Sequence, residues 1–111
     1  MNINDITISQ PGELFIPDDE IKPGEAYSLR ISIGGSLLIG RTTRSSNLIE
    51  MPGKIKVNIE YNELLKLKQY EPMLEYNLFC LSNGKDICKG KVLLAADALE
   101  IKEVKPETEE A

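Results

Sequence analysis

Leu74-Glu75-Tyr76-Asn77-Leu78-Phe79-Cys80-Leu81 and Ile87-Cys88-Lys89-Gly90-Lys91-Val92-Leu93-Leu94, joined by Ser82-Asn83-Gly84-Lys85-Asp86, decide the fold class. Apolar residues fall on even numbers in both arms: Leu74, Tyr76, Leu78 and Cys80, then Cys88, Val92 and Leu94. That period of two belongs to strands with one buried face. A two-residue Asn83-Gly84 loop would pair even with odd and carry Lys89 and Lys91 to the core face, at the cost of burying unpaired charge. The favoured hairpin therefore has a three-residue loop, Ser82-Asn83-Gly84, with glycine in the left-handed bulge position. In that register Leu78 lies opposite Cys88 and Tyr76 opposite Gly90, leaving the two cysteines offset along one face.

The same alternation extends upstream. Lys54-Ile55-Lys56-Val57-Asn58-Ile59-Glu60 follows the turn Pro52-Gly53 and buries Ile55, Val57 and Ile59. Asn62 to Gln69 carries the only helical signal, with Asn62 as cap, Glu63 at the positive end and Lys66 and Lys68 at the negative end. One or two turns among strands suit a corner better than a βαβ crossover, which needs a longer element, and Glu71-Pro72 ends it. Ala26 to Ile33 alternates cleanly, with Tyr27, Leu29, Ile31 and Ile33 on one face, after the turn Lys22-Pro23-Gly24-Glu25. Gly34-Gly35 joins it to Ser36-Leu37-Leu38-Ile39-Gly40 as a two-residue hairpin. This loop sets Ile33 opposite Ser36 and Ile31 opposite Leu38, sending Leu38 to the core and Leu37 and Ile39 to the other face. That second face is either covered by another layer or adhesive.

Ile3, Ile6 and Ile8, then Glu13-Leu14-Phe15-Ile16, read as short, edge-like strands before Pro17-Asp18-Asp19-Glu20. Ala98-Leu99-Glu100-Ile101-Lys102 supplies a last strand, and residues 103–111, acidic and interrupted by Pro106, a mobile tail. The expected fold is all-β: a single immunoglobulin-like antiparallel β-sandwich over residues 1–102, with seven to eight short strands and a helical turn near residues 62–69.

Composition restricts the chemistry. The 111 residues fit one domain; 41% are hydrophobic and 28% charged, as in ordinary globular chains. The chain has no His and no Trp, so histidine relays, histidine metal sites and histidine pH switches are excluded. A net charge of −5 with 13 basic residues and six aromatics argues against nucleic acid or anionic lipid as a partner. Met1-Asn2-Ile3-Asn4-Asp5 shows no secretory n-region and no run reaches the ~18 apolar residues of a membrane helix. A cytoplasmic location is expected.

The stretch from Lys54 through the helical turn to Tyr76-Asn77-Leu78-Phe79-Cys80-Leu81-Ser82-Asn83-Gly84-Lys85-Asp86-Ile87-Cys88-Lys89-Gly90-Lys91-Val92 resembles small β-sandwich modules of tailed-phage virion proteins, such as the N-terminal modules of lactococcal phage baseplate proteins. The similarity covers residues 54–94. It implies a non-enzymatic, multicopy structural subunit located in a virion, acting through other protein subunits or as a homo-oligomer. The alternative, from the residues alone, is an intracellular adaptor that engages a host or regulatory protein through a sheet edge or the acidic tail.

No candidate chemistry outweighs this. Asp18-Asp19-Glu20 lacks the spaced carboxylates and glycine of a calcium loop and reads as a solvated turn. Arg41-Thr42-Thr43-Arg44 reads as an exposed loop, and Cys80 and Cys88 as reduced core residues. The chain is expected to be no enzyme and to hold no cofactor or metal. The candidate interface is Leu37 and Ile39, apolar on the outer face of their strand.

Overall fold

The computed structural model describes residues 2–10, 12–43 and 47–95. They form nine strands and one helix: β1 (Asn2–Ile3), β2 (Ile6–Gln10), β3 (Glu13–Pro17), β4 (Tyr27–Ile33), β5 (Ser36–Thr42), β6 (Leu48–Met51), β7 (Lys54–Asn58), α1 (Tyr61–Lys68), β8 (Glu75–Cys80) and β9 (Lys85–Leu94). The expected strand at 98–102 and the tail at 103–111 lie outside the described residues.

The fold is mostly β, and its strands are linked in the order β5-β4-β8-β9-β2-β3-β7-β6. Most ladders are antiparallel, as the alternation predicts. The N-terminal segment departs from that expectation: β1 and β2 both run parallel to β9, with Asn2 opposite Cys88, Ile3 opposite Lys89, and Ile6 opposite Val92. The same offset of 86 residues holds on both sides of the break at Asn4-Asp5. The break is forced by the antiparallel partner as well. Up to Lys91, β9 pairs with β8, and beyond it the strand pairs only with β2. Thus β9 is the strand common to both halves of the sheet. The first strands are not edge strands; β2 and β3 are interior, and the edges are β5 and β6.

Glycine permits the passage. A Cβ at Gly90 would overlap the Asn4 carbonyl, which here accepts the Tyr76 hydroxyl at 2.6 Å. The neighbouring Asn4 N–H donates to the Lys89 carbonyl at 2.8 Å, and the Lys91 N–H to the Asp5 carboxylate at 3.0 Å. Every polar group at the crossing that needs a partner thus finds one locally.

The β8–β9 register is the expected one where it matters, with Leu78 opposite Cys88 and Tyr76 opposite Gly90. The loop differs. Cys80 pairs with Lys85 around a four-residue loop, Leu81 to Gly84, and the register then shifts by one before Cys88. The residue passed over is Ile87, so Ile87 and Cys88 are both buried although adjacent in sequence. Gly84 does take the left-handed conformation, φ +75°.

A second bulge corrects the reading of β5. Gly34 and Gly35 have φ of +49° and +87°, as a primed two-residue turn requires, and Ile33 lies opposite Ser36. The ladder then pairs Ser32 with Leu37 and Ile31 with Ile39, stepping over Leu38. Ile39, expected outside, is turned into the core. Arg41 and Thr42, expected in a loop, complete the strand.

The helix spans Tyr61–Lys68, one residue earlier than expected, and its N-cap is Glu60, not Asn62. The Glu60 N–H donates to the Glu63 carboxylate at 2.9 Å, one arm of a capping box. Leu64 and Leu67 enter the core. One hydrophobic cluster collects inward residues from both halves: Tyr27, Leu29, Ile31, Tyr76, Leu78 and Cys88 from one, Ile6, Ile8, Leu14, Ile16, Ile55 and Val57 from the other.

Gly90→Ala should destabilise by about 3 kcal/mol or prevent folding, because the added methyl meets backbone and not a yielding side chain. Gly40→Ala, where the nearest atom is Leu37 Cδ2 at 3.7 Å, should cost under about 1 kcal/mol by urea denaturation. Equal effects would refute the role assigned to the crossing.

Candidate functional site

Leu37 and Ile39 part company. The bulge at Leu38 leaves Leu37 57% exposed on the sheet's edge strand while Ile39 is 4% exposed. Only Leu37 remains available to a partner. Ile39 is a core residue, corrected by one inserted residue that turn-based register counting from Gly34-Gly35 does not contain.

Two positions beyond Ile39, Arg41 lies opposite Leu29 and so on the inward side of the edge strand. Its guanidinium forks onto both oxygens of Glu63, at the first turn of α1. The Arg41 Nε is buried without a hydrogen-bond partner. Lys66 Nζ reaches the Leu38 carbonyl at 3.5 Å from the same helix. These contacts hold α1 against β5, and an inward charge on an edge strand resists indiscriminate strand pairing. This gives Arg41 a structural role in place of a loop phosphate grip; Arg44 lies outside the described residues.

The acidic turn is ordered by its own hydrogen bonds. Asp18 is buried, and its carboxylate accepts the Asn2 amide at 2.8 Å and the Glu20 N–H at 2.9 Å. Its side chain is therefore committed to fastening the N-terminal strand, correcting the expectation of a solvated turn at this residue. Among the described residues no group of three acidic or cysteine side chains is arranged to hold a metal.

Cys80 and Cys88 are free and buried. The Cys88 thiol lies 3.7 Å from the Tyr76 hydroxyl oxygen. Burial pushes its pKa up to about 11, partly offset by the Tyr76 contact. The tyrosine hydroxyl is raised too, first by its own burial. Neither group is poised for proton transfer or nucleophilic attack near neutral pH.

Two shallow depressions lie on the outer side of the β4–β8–β9 ladders. One, of about 360 Å³, surrounds Gly90 and includes Ile3, Asp5, Glu75, Lys89 and Lys91. The other, of about 380 Å³, includes Arg30, Asn77, Phe79 and Asp86. Both are open and mixed in charge.

The outer face of the other half is apolar. Phe15, Ile49 and Leu93 are 38%, 46% and 41% exposed. Thr7 pairs with Leu93, and Lys56 pairs with both Phe15 and Ile49, so the three lie along one row across β9, β2, β3, β7 and β6. Lys54 Nζ sits 5.6 Å from the Phe15 ring centroid, and Lys56 pairs with Glu13 at 3.4 Å. Sequence reasoning located β3 without extracting this row, although the parity was available: with Leu14 and Ile16 inward, Phe15 must face out. In comparisons with known proteins, no family model and no curated protein matches the chain.

Because the Cys88 pKa is raised, its neutral thiol favours the fold fully below the unfolded value of 9.0, and that contribution is lost as pH rises toward about 11. Native protein at pH 8 should therefore react with a thiol reagent at least ~100-fold more slowly than urea-unfolded protein. Equal rates would place Cys88 at the surface.

Proposed function

We propose that this chain is a non-catalytic structural subunit that works by association with other protein subunits, in several copies. The observation that carries the reading is Leu37: a large apolar side chain exposed on β5, one end of the strand order, where backbone pairing groups and an apolar anchor are presented together. Sheet edges recruit an additional strand through main-chain hydrogen bonds, and a neighbouring side chain supplies selectivity. The inward Arg41 on the same strand restricts where along the edge such pairing is tolerated.

The resemblance of residues 54–94 to tailed-phage virion modules supplies the class of assembly, a baseplate, fibre-attachment or decoration component. The finer architecture belongs to the same proposal. Two sheet halves sharing β9 and closing on one core fit an immunoglobulin-like sandwich whose N-terminal strand has been recruited in parallel. The sequence supports the non-catalytic reading by lacking histidine. No helix among the described residues is long and apolar enough to cross a membrane.

Leu37→Lys should leave the circular dichroism spectrum and thermal midpoint nearly unchanged while weakening self-association, or incorporation into purified particles, by at least ~10-fold. Ile39→Lys should instead unfold the chain, since it buries an unpaired charge. An unchanged assembly for folded Leu37→Lys would reject β5 as the interface. Recovery of one stoichiometric soluble partner of unrelated sequence, with no self-association, would replace the structural reading with the adaptor reading.

A further inference from the structure

We propose that the chain's own segment Ala98 to Val104 packs across the outer face formed by Phe15, Ile49 and Leu93. This is a different surface from the β5 edge and does not depend on the assembly proposal.

Three observations converge on that occupant. The first is position: β9 ends at Leu94 within the same half of the sheet, the Ala95 N–H donates to the Ile8 carbonyl at 3.0 Å, and Leu93 itself belongs to the apolar row. The chain therefore leaves the described structure beside the face it would cover. The second is reach. Ile49 is four ladders from Leu93, roughly 19 Å at ~4.8 Å per strand. The residues from 96 onward span about 50 Å if extended at ~3.3 Å each.

The third is complementarity. Leu99 and Ile101 alternate with Glu100 and Lys102, and Glu103 and Val104 follow. Leu99 and Ile101 laid toward the sheet would meet Phe15, Leu93 and Ile49. Lys54 and Lys56 place positive charge at this face of a chain with net charge −5, opposite Glu100 and Glu103. A second copy of the face would bring like charges together; the acidic segment brings opposite ones.

The test uses the full chain. A nitroxide is attached through Lys102→Cys, a position the alternation directs away from the face; Cys80 and Cys88 are buried. Amide relaxation is then read by NMR. The proposal expects selective broadening at Phe15, Lys56, Ile49 and Thr7, abolished in the same labelled chain by Leu99→Glu/Ile101→Glu and reduced at least ~3-fold by Lys54→Glu. Mixing a spin-labelled chain lacking nitrogen-15 with unlabelled nitrogen-15 chain should produce no broadening. Broadening only in the mixed sample would give the face to a neighbouring copy's segment. Broadening elsewhere on the surface, or none, would also overturn the proposal. Because the Leu99→Glu/Ile101→Glu changes lie outside the core cluster, an unchanged thermal midpoint confirms that lost broadening is not lost folding.

Discussion

A backbone carbonyl pressed against a glycine organises this molecule. Asn4 crosses β9 at Gly90, where no side chain fits, and the crossing lets one N-terminal segment ladder with β9 on both sides of the break. Upstream, β1 extends the half built from β5, β4, β8 and β9; downstream, β2 starts the half that continues through β3, β7 and β6. The hydroxyl of Tyr76 fixes the same carbonyl. A single residue without a Cβ thus decides whether the two halves are one structure. It also fixes the chain ends, since Asp18 fastens Asn2 and the Ile8 carbonyl fastens Ala95.

Two bulges then adjust which residues the core receives. A strict period of two places either Ile87 or Cys88 inside; the register shift on β9 places both inside. The shift on β5 exchanges Leu38 for Ile39 and keeps Arg41 inward, where Glu63 meets it. Each bulge exposes or withdraws a particular side chain, so the adhesive character of the β5 edge is concentrated at Leu37. An edge strand that carried Leu37 and Ile39 on one exposed face would be a broader and less selective surface.

Much of this was legible in the sequence because strand parity and glycine turns are local signals. The pairings Leu78 with Cys88, Tyr76 with Gly90 and Ile33 with Ser36 follow from which register keeps charge out of the core. Ile39 was misplaced because a bulge leaves no signature in the turn that precedes it. The parallel pairing of Ile6 with Val92 was invisible for another reason: it joins residues at opposite ends of the chain, and nothing in either run records its partner. Gly90 was noticed only as a register position. Its meaning lies in what crosses it. The helix cap fell to Glu60 because Glu63 can satisfy the Glu60 backbone, a reciprocal arrangement that outweighs the intrinsic preference for Asn62. Of the proposed interface, Leu37 was legible from alternation, whereas the Phe15, Ile49 and Leu93 row requires three strands to be aligned before it exists.

If the parallel junction unites the halves, its amides belong to the most protected part of the protein. Residue-resolved hydrogen exchange measures this directly. The account predicts that the amides of Asn4, Val92 and Ala95, which donate to Lys89, Leu74 and Ile8, exchange only through global unfolding, with the same opening free energy as Leu29 and Val57 in the two halves. Fast exchange at Asn4 and Ala95, with the β4–β8 and β3–β7 ladders still protected, would show that the N-terminal segment is an appendage and contradict the account.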